Sequence, residues 1–176
     1  MRFLKKTVLF LLVFIALVIF FSPKTQLYYK AEEILADNNV ILSEETPKDH
    51  GFVFSIEGGR LYYDDLEVAQ LNKITLLPLL FFNRLSVAPF AFSKEMQGFV
   101  PGMVTKMYIQ YSVIDPLHVI CKAEGDFGTF SGSIAFLDRN ISMGLVPSEK
   151  LLQSRPPWLH QLKKDKGGVY RYESAY

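Results

Sequence analysis

The chain has 176 residues, of which 21% are charged, and a formal net charge of +1. That length suits one domain of ordinary size that buries a core without covalent staples, and the near-neutral balance excludes a global field for nucleic acid. The single cysteine, Cys121, excludes an internal disulfide and is expected to be free, packed and inert.

Thr7 to Phe21 reads TVLFLLVFIALVIFF, without charge, glycine or proline. With Phe3 and Leu4 added, and Lys5 and Lys6 reaching to the headgroups, a helix there approaches the roughly 30 Å of a bilayer core. Phe10, Phe14, Phe20 and Phe21 are its bulkiest lipid-facing candidates. A cleaved signal peptide competes, but it needs small residues just past the apolar run, where this chain has Phe20, Phe21, Pro23, Lys24 and Gln26. No cysteine follows for lipoprotein processing. Arg2, Lys5 and Lys6 put the N-terminus in the cytoplasm and the body on the far side.

Residues 23–39 suit a helix, with Leu27, Ala31, Ile34 and Leu35 on one face and a stop at Asn38-Asn39. From Val40 the period becomes 2, and with 15 Phe and 9 Tyr the composition favours strands. Phe52, Phe54 and Ile56 alternate with Val53, Ser55 and Glu57, and Gly58-Gly59 suggests a tight hairpin into Arg60–Tyr63. Asp64-Asp65 suggests a break or bulge. Pro78 argues against a central strand, so a helical turn near Leu77–Phe82 is expected. One strand should then run from Arg84, with Leu85, Val87 and Ala91 on one face and Ala88, Phe90 and Phe92 on the other.

The clearest alternation follows. Met103, Met107, Ile109, Tyr111 and Val113 form one apolar set. Leu117, Val119, Cys121 and Ala123 form the next, then Phe130, Ile134 and Phe136, then Ile141, Met143 and Leu145. Short turns between them predict an antiparallel meander with one apolar and one polar face. A short helix over Glu149–Gln153, a turn after Pro156-Pro157 and a terminal strand over Val169–Tyr176 complete the chain. Tyr170, Tyr172 and Tyr176 share one side of that strand.

Charge is unevenly spread. Ala31–Gln70 holds ten acids against two bases, and Lys150–Arg171 six bases against one acid; solvated faces that complement one another within the fold are the expected reading. No stretch specifies a reaction. His50, His118 and His160 lack metal-ligand spacing, and there is no GxSxG, P-loop or GxGxxG. Asp126-Phe127-Gly128 reads as a hairpin turn. Asp64-Asp65 and Glu44-Glu45 would point to opposite faces of a strand. Asn140-Ile141-Ser142 matches a glycosylation acceptor, which matters only in a eukaryotic secretory setting. Neither catalysis nor a cofactor or metal is expected.

The segment GFVFSIEGGRLYYDDLEVAQLNKITLLPLLFFNRLSVAPFAF (51–92) and the later GDFGTFSGSIAF resemble the periplasmic domain of the type II secretion system protein N family and the wider AsmA family. The order is similar too: short cytoplasmic tail, one anchor, a helix, amphipathic strands. The resemblance implies a bacterial inner-membrane protein with a tail at 1–6, an anchor at 7–22, a helix at 23–39 and a periplasmic β-rich domain at 40–176. It implies a mainly β fold: a curved, half-open, barrel-like meander with an apolar concave face, partly covered by short helices. It also implies a role in envelope biogenesis, through docking to secretion-machinery or other envelope proteins, or through handling phospholipid. Edge strands able to add a partner strand suit the first role. The surplus of apolar side chains on the β segments suits the second. The contacts named for either are Phe52, Phe54, Ile56, Phe90, Phe92, Ile109, Phe130 and Phe136.

Overall fold

The computed structural model describes residues 2–79, 82–87, 89–96, 99 and 102–175. The chain begins with one continuous helix, α1 (Arg2–Phe21). Its 19-residue stretch Phe3–Phe21 has no buried residue and spans about 28 Å at 1.5 Å per residue. A membrane span and a signal sequence both fit it. Pro23 interrupts the helix, and α2 (Lys24–Ala36) follows at once. At the junction the buried Lys24 ammonium donates to the carbonyls of Phe20 and Ser22, both at 3.3 Å, and pairs with Asp49 at 3.5 Å. A cation there satisfies carbonyls that a helix end leaves without partners, and complements the helix dipole. Asn39, at φ 61°, turns the chain out of α2.

Among the described residues fourteen strands then form one open, antiparallel sheet. The first eight are β1 (Val40–Ser43), β2 (Thr46–Asp49), β3 (Phe54–Glu57), β4 (Arg60–Tyr63), β5 (Leu66–Leu71), β6 (Lys73–Leu79), β7 (Phe82–Val87) and β8 (Phe90–Phe92). They are halves of four longer strands, each bent once. Ser43 faces Arg60 and Thr46 faces Glu57, so the bend at Glu44-Glu45 lies against the bend at Gly58-Gly59. Gly58 donates to the Asn72 carbonyl and Leu71 to that of Gly59, both at 2.8 Å; Asn72 donates to Pro89 at 3.3 Å. The next strands are β9 (Met103–Ser112), β10 (Asp115–Gly125), β11 (Gly128–Ala135) and β12 (Asn140–Pro147). On β9, Lys106 faces Glu124 but Val104 faces Gly125, which leaves Thr105 as a bulge. A crease thus crosses five strands and ends at the β10–β11 hairpin tip. Gly58 and Gly59, at φ 73° and 123°, supply a backbone there that a side chain would strain.

The crease resets the alternation. Leu71 and Ile74, Val87 and Phe90, and Val104 and Met107 are each three apart, yet all belong to one core. Every bend inserts an odd residue, which returns the apolar set to the same face.

Several expectations are corrected by this geometry. Gly58-Gly59 is a bend rather than a hairpin, because β3 pairs with β2 and β6, and β4 with β1 and β5. The hairpin lies at Asp64-Asp65, whose φ values of 47° and 64° suit a type I′ turn closed by Tyr63 opposite Leu66. β6 runs on to Leu79 and β7 starts at Phe82, in place of a helical turn; residues 80 and 81 lie outside the described residues. Pro78 is tolerated because β3 pairs with β6 only as far as Leu76, so that stretch has a strand neighbour on one side alone. Leu85, Val87, Phe90 and Phe92 share the inner side, with Ala91 exposed on the other; Ala88 lies outside the described residues, as does Tyr176. The Thr105 bulge buries Val104 and exposes Met103. On α2, Leu27, Ile34 and Leu35 stay exposed, and Tyr28 packs on the core instead.

The β9–β12 meander forms as the alternation predicts. After it, α3 (Glu149–Ser154) is capped by Ser148, whose Oγ accepts from the Leu151 N–H at 3.1 Å. Leu151 is fully buried. Lys150 reaches Asp126 at 2.7 Å and ties α3 to the β10–β11 tip. A 3₁₀ helix, Pro157–Gln161, carries Trp158, whose Nε1 donates to the Phe99 carbonyl at 2.8 Å. The chain closes with β13 (Lys163–Lys164) outside β14 (Tyr170–Ala175), which pairs with β12.

Candidate apolar ligand site

Cross-strand pairing stacks the inner face into rows. One row runs Ile56, Ile74, Val87, Met107, Ala123, Phe130, Leu145, Tyr170. The next runs Phe54, Leu76, Leu85, Ile109, Cys121, Gly132, Met143, Tyr172. Such a face needs cover. α2 supplies it at one side, and α3 with the 3₁₀ helix at the other, and each leaves a gap.

The larger gap is a cavity of about 350 Å³ with an almost wholly apolar lining. Phe90, Phe92, Met107, Ala123 and Phe130 form its floor; Trp158 and Leu162 come from the cover, and Tyr170 from β14. Ala123 is small and leaves space on the floor that a larger side chain would fill. The second cavity, about 240 Å³, lies where Leu27, Tyr28 and Ala31 of α2 stand over Phe54, Ile56, Ile74 and Leu85, with Ser22 and Lys24 at its α1 side. Val87 stands in the row between Ile74 of the second cavity and Met107 of the first.

Of the eight residues expected to carry contacts, five line these spaces. Phe54 and Ile56 lie under α2, and Phe90, Phe92 and Phe130 in the larger cavity. Ile109 stands in the second row between the two. Phe52 sits in the β2–β3 turn, half-exposed, with its ring 5.4 Å from that of Phe20. Phe136 follows β11, half-exposed and outside both cavities. Lys5, Lys6, Phe10, Phe14 and Phe21 are exposed on α1. Trp158 and Leu162 escaped the sequence reading because the cover has no periodicity to mark which side chains turn inward.

Titration chemistry here is sparse. Burial pushes the Cys121 thiol up. Burial, then the hydrogen bond to Glu45 at 2.8 Å, pushes the Tyr28 hydroxyl up. Elsewhere the acidic segment 31–70 and the basic segment 150–171 pair locally and not with one another among the described ion pairs. Glu57 pairs with Lys48 and Lys73, Arg60 with Glu44, and Arg171 with Asp165. Among the described residues no three of His, Cys, Asp and Glu converge as metal ligands would.

Family models, curated proteins and solved structures were all compared with the chain, and none matches it. The reading of the site rests on its geometry.

Proposed function

We propose that the chain is a single-pass protein of a bacterial inner membrane, with α1 retained as its anchor. Its exported sheet holds the apolar chain of a lipid-type ligand against the inner face. The observation that carries this reading is the cavity of about 350 Å³. It falls in the range of about 300–1,000 Å³ typical of ligand pockets, and its chemistry matches a hydrocarbon chain. Genuinely apolar cavities stay dry and take apolar guests. The other expected role, docking a secretion or envelope protein by strand addition, meets guarded edges. One edge is the two-lysine β13, which covers Tyr170 and Arg171 of β14, and the other carries Pro47 and Lys48 in β2; both features discourage pairing along part of their edge.

The test is photo-crosslinking of the full-length protein in phospholipid vesicles doped with a diazirine-bearing fatty acid. Crosslinks on β8, β9 and β11, lost in Ala123→Phe, support the reading. Crosslinks confined to α1 refute it.

A further inference from the structure

We infer that the end of the sheet nearest α1 rests on the bilayer surface, with the tips of the β9–β10 and β11–β12 hairpins dipping among the lipids. The inference rests on the reading of α1 as a retained span. Three described connections share that end of the sheet, residues 50–53, 113–114 and 136–139, and Leu79 faces Phe82 there. α1 meets the sheet at the first of them, where Phe20 packs on Phe52 and Lys24 pairs with Asp49 at 3.5 Å. Only Ser22 and Pro23 separate α1 from α2. A span of about 28 Å nearly fills a hydrocarbon core of about 30 Å, which puts Phe20 and Phe21 at headgroup level. The sheet end is therefore held within a side chain's reach of the membrane surface.

The tips have a chemistry that suits lipid and not water. The turn of a hairpin that faces water is usually built from small or polar residues. Here Val113-Ile114 fills that place, between the paired Ser112 and Asp115. Ile114 is 93% exposed, more than any other large apolar side chain described. On the β11–β12 loop, Leu137 is 74% exposed and Phe136 49%. The opposite end of the sheet is built differently at its tips: its β4–β5 turn is Asp64-Asp65, flanked by the half-exposed Tyr63 and Leu66, and at its β10–β11 tip Phe127 is buried. Apolar side chains stand out of the fold at the end that carries the anchor, with Asp115, His118, Asp138 and Arg139 beside them at headgroup height. This is the pattern of side chains that sink into an interface while polar neighbours stay wet. The occupant is the bilayer because the anchor delivers these tips to it. A folded partner would have to fit into a gap bridged by two residues.

Site-directed spin labelling of the full-length protein tests this. The background is Cys121→Ser, which removes the one native thiol, and the protein is reconstituted in phosphatidylethanolamine–phosphatidylglycerol vesicles. Labels are placed singly through Ile114→Cys, Leu137→Cys, Asp65→Cys at the far end, and Phe10→Cys in α1. We expect labels at 114 and 137 to collide with oxygen several-fold more often, relative to a water-soluble nickel chelate, than the label at 65. If 114 and 137 match 65 while 10 lies deep, the docking proposal fails and the anchor stands. If 10 is itself open to the chelate, the anchor reading fails and the proposal with it. Labels at 114 shielded from both reagents and broadened by neighbouring spins would mean that a second copy covers the tips, which also overturns it.

Discussion

Leu151→Ala tests whether the C-terminal cover is part of the folded core or a loosely laid flap. Leu151 is 0% exposed, and its neighbour on α3, Leu152, is 41% exposed. Truncating a fully buried leucine costs about 2.7–5 kcal/mol, from lost transfer energy and the cavity left behind. We take about 3 kcal/mol, because a short peripheral helix can settle partly into the gap. For a chain of this size that lowers the melting temperature by about 6–12 °C. Leu152→Ala should stay within about 0.5 kcal/mol of the native protein. The assay is thermal and urea unfolding of the full chain in mild detergent, followed by the fluorescence of Trp158, the single tryptophan, which sits on the cover itself. A Leu151→Ala protein that unfolds together with Leu152→Ala would refute the reasoning, since the cover would then contribute no packing energy.

Three further outcomes follow from the structure. Gly128 has φ +111°, and a Cβ there would lie 2.1 Å from the Val146 carbonyl oxygen; Gly128→Ala should destabilise by about 3 kcal/mol. Gly168→Ala, at φ +81° with nothing within 4 Å, should cost only about 1–2 kcal/mol, and equal losses in the same melts would count against the crease geometry. Lys150, and then the Met103 N–H, hold Asp126 below the usual carboxylate range, so this pairing contributes stability above the unfolded carboxylate value of about 3.9 and loses it as the pH falls further. Asp126→Asn should flatten the acid limb of the stability–pH curve below about pH 4, and an unchanged limb would remove Asp126 from that account. Because burial raises the Cys121 thiol and the residue lines the larger cavity, its alkylation by a maleimide should be slow at neutral pH and slower still with a long-chain fatty acid present; a rate indifferent to fatty acid would argue against occupancy.

How far the residues disclose the fold depends on where the alternation is undisturbed. Over Met107–Tyr111, Val119–Ala123, Phe130–Ile134 and Ile141–Leu145 the spacing of two is kept and that face turns inward, while the register shift at Asp115–Val119 and the loop ends leave Val113, Leu117 and Phe136 exposed. Between Val40 and Val104 each long strand is bent, so the same face is reached by residues three apart, such as Val87 and Phe90. A strict period of two then assigns Leu85 and Phe90 to opposite sides. The glycine pair was the strongest local turn signal, yet pairing with Asn72 on the neighbouring strand made it a bend. Asp64-Asp65, a weaker signal, took the hairpin because both aspartates accept positive φ and Tyr63 meets Leu66 beyond them. Five of the eight expected contact residues reach a cavity, because most bulky side chains on the inner face border one; Ile109 lies between the two. The cover's short helices were legible, but not which of their side chains turn inward, because Leu151, Trp158 and Leu162 follow no repeat.

The short outer strand Lys163–Lys164 has a further consequence for a chain confined to a surface. Tethering crowds identical copies into two dimensions and aligns them, so an unprotected sheet margin would meet its own kind far more often than in free solution. Two adjacent ammonium groups on one margin, and a proline on the other, deny those encounters the hydrogen-bonded seam that would zip neighbours into a ribbon. With α1 retained in a bilayer as proposed, these guards would limit ribbon growth at Lys163–Lys164 and at Pro47, while Tyr172–Ala175 of β14 lies beyond the reach of β13.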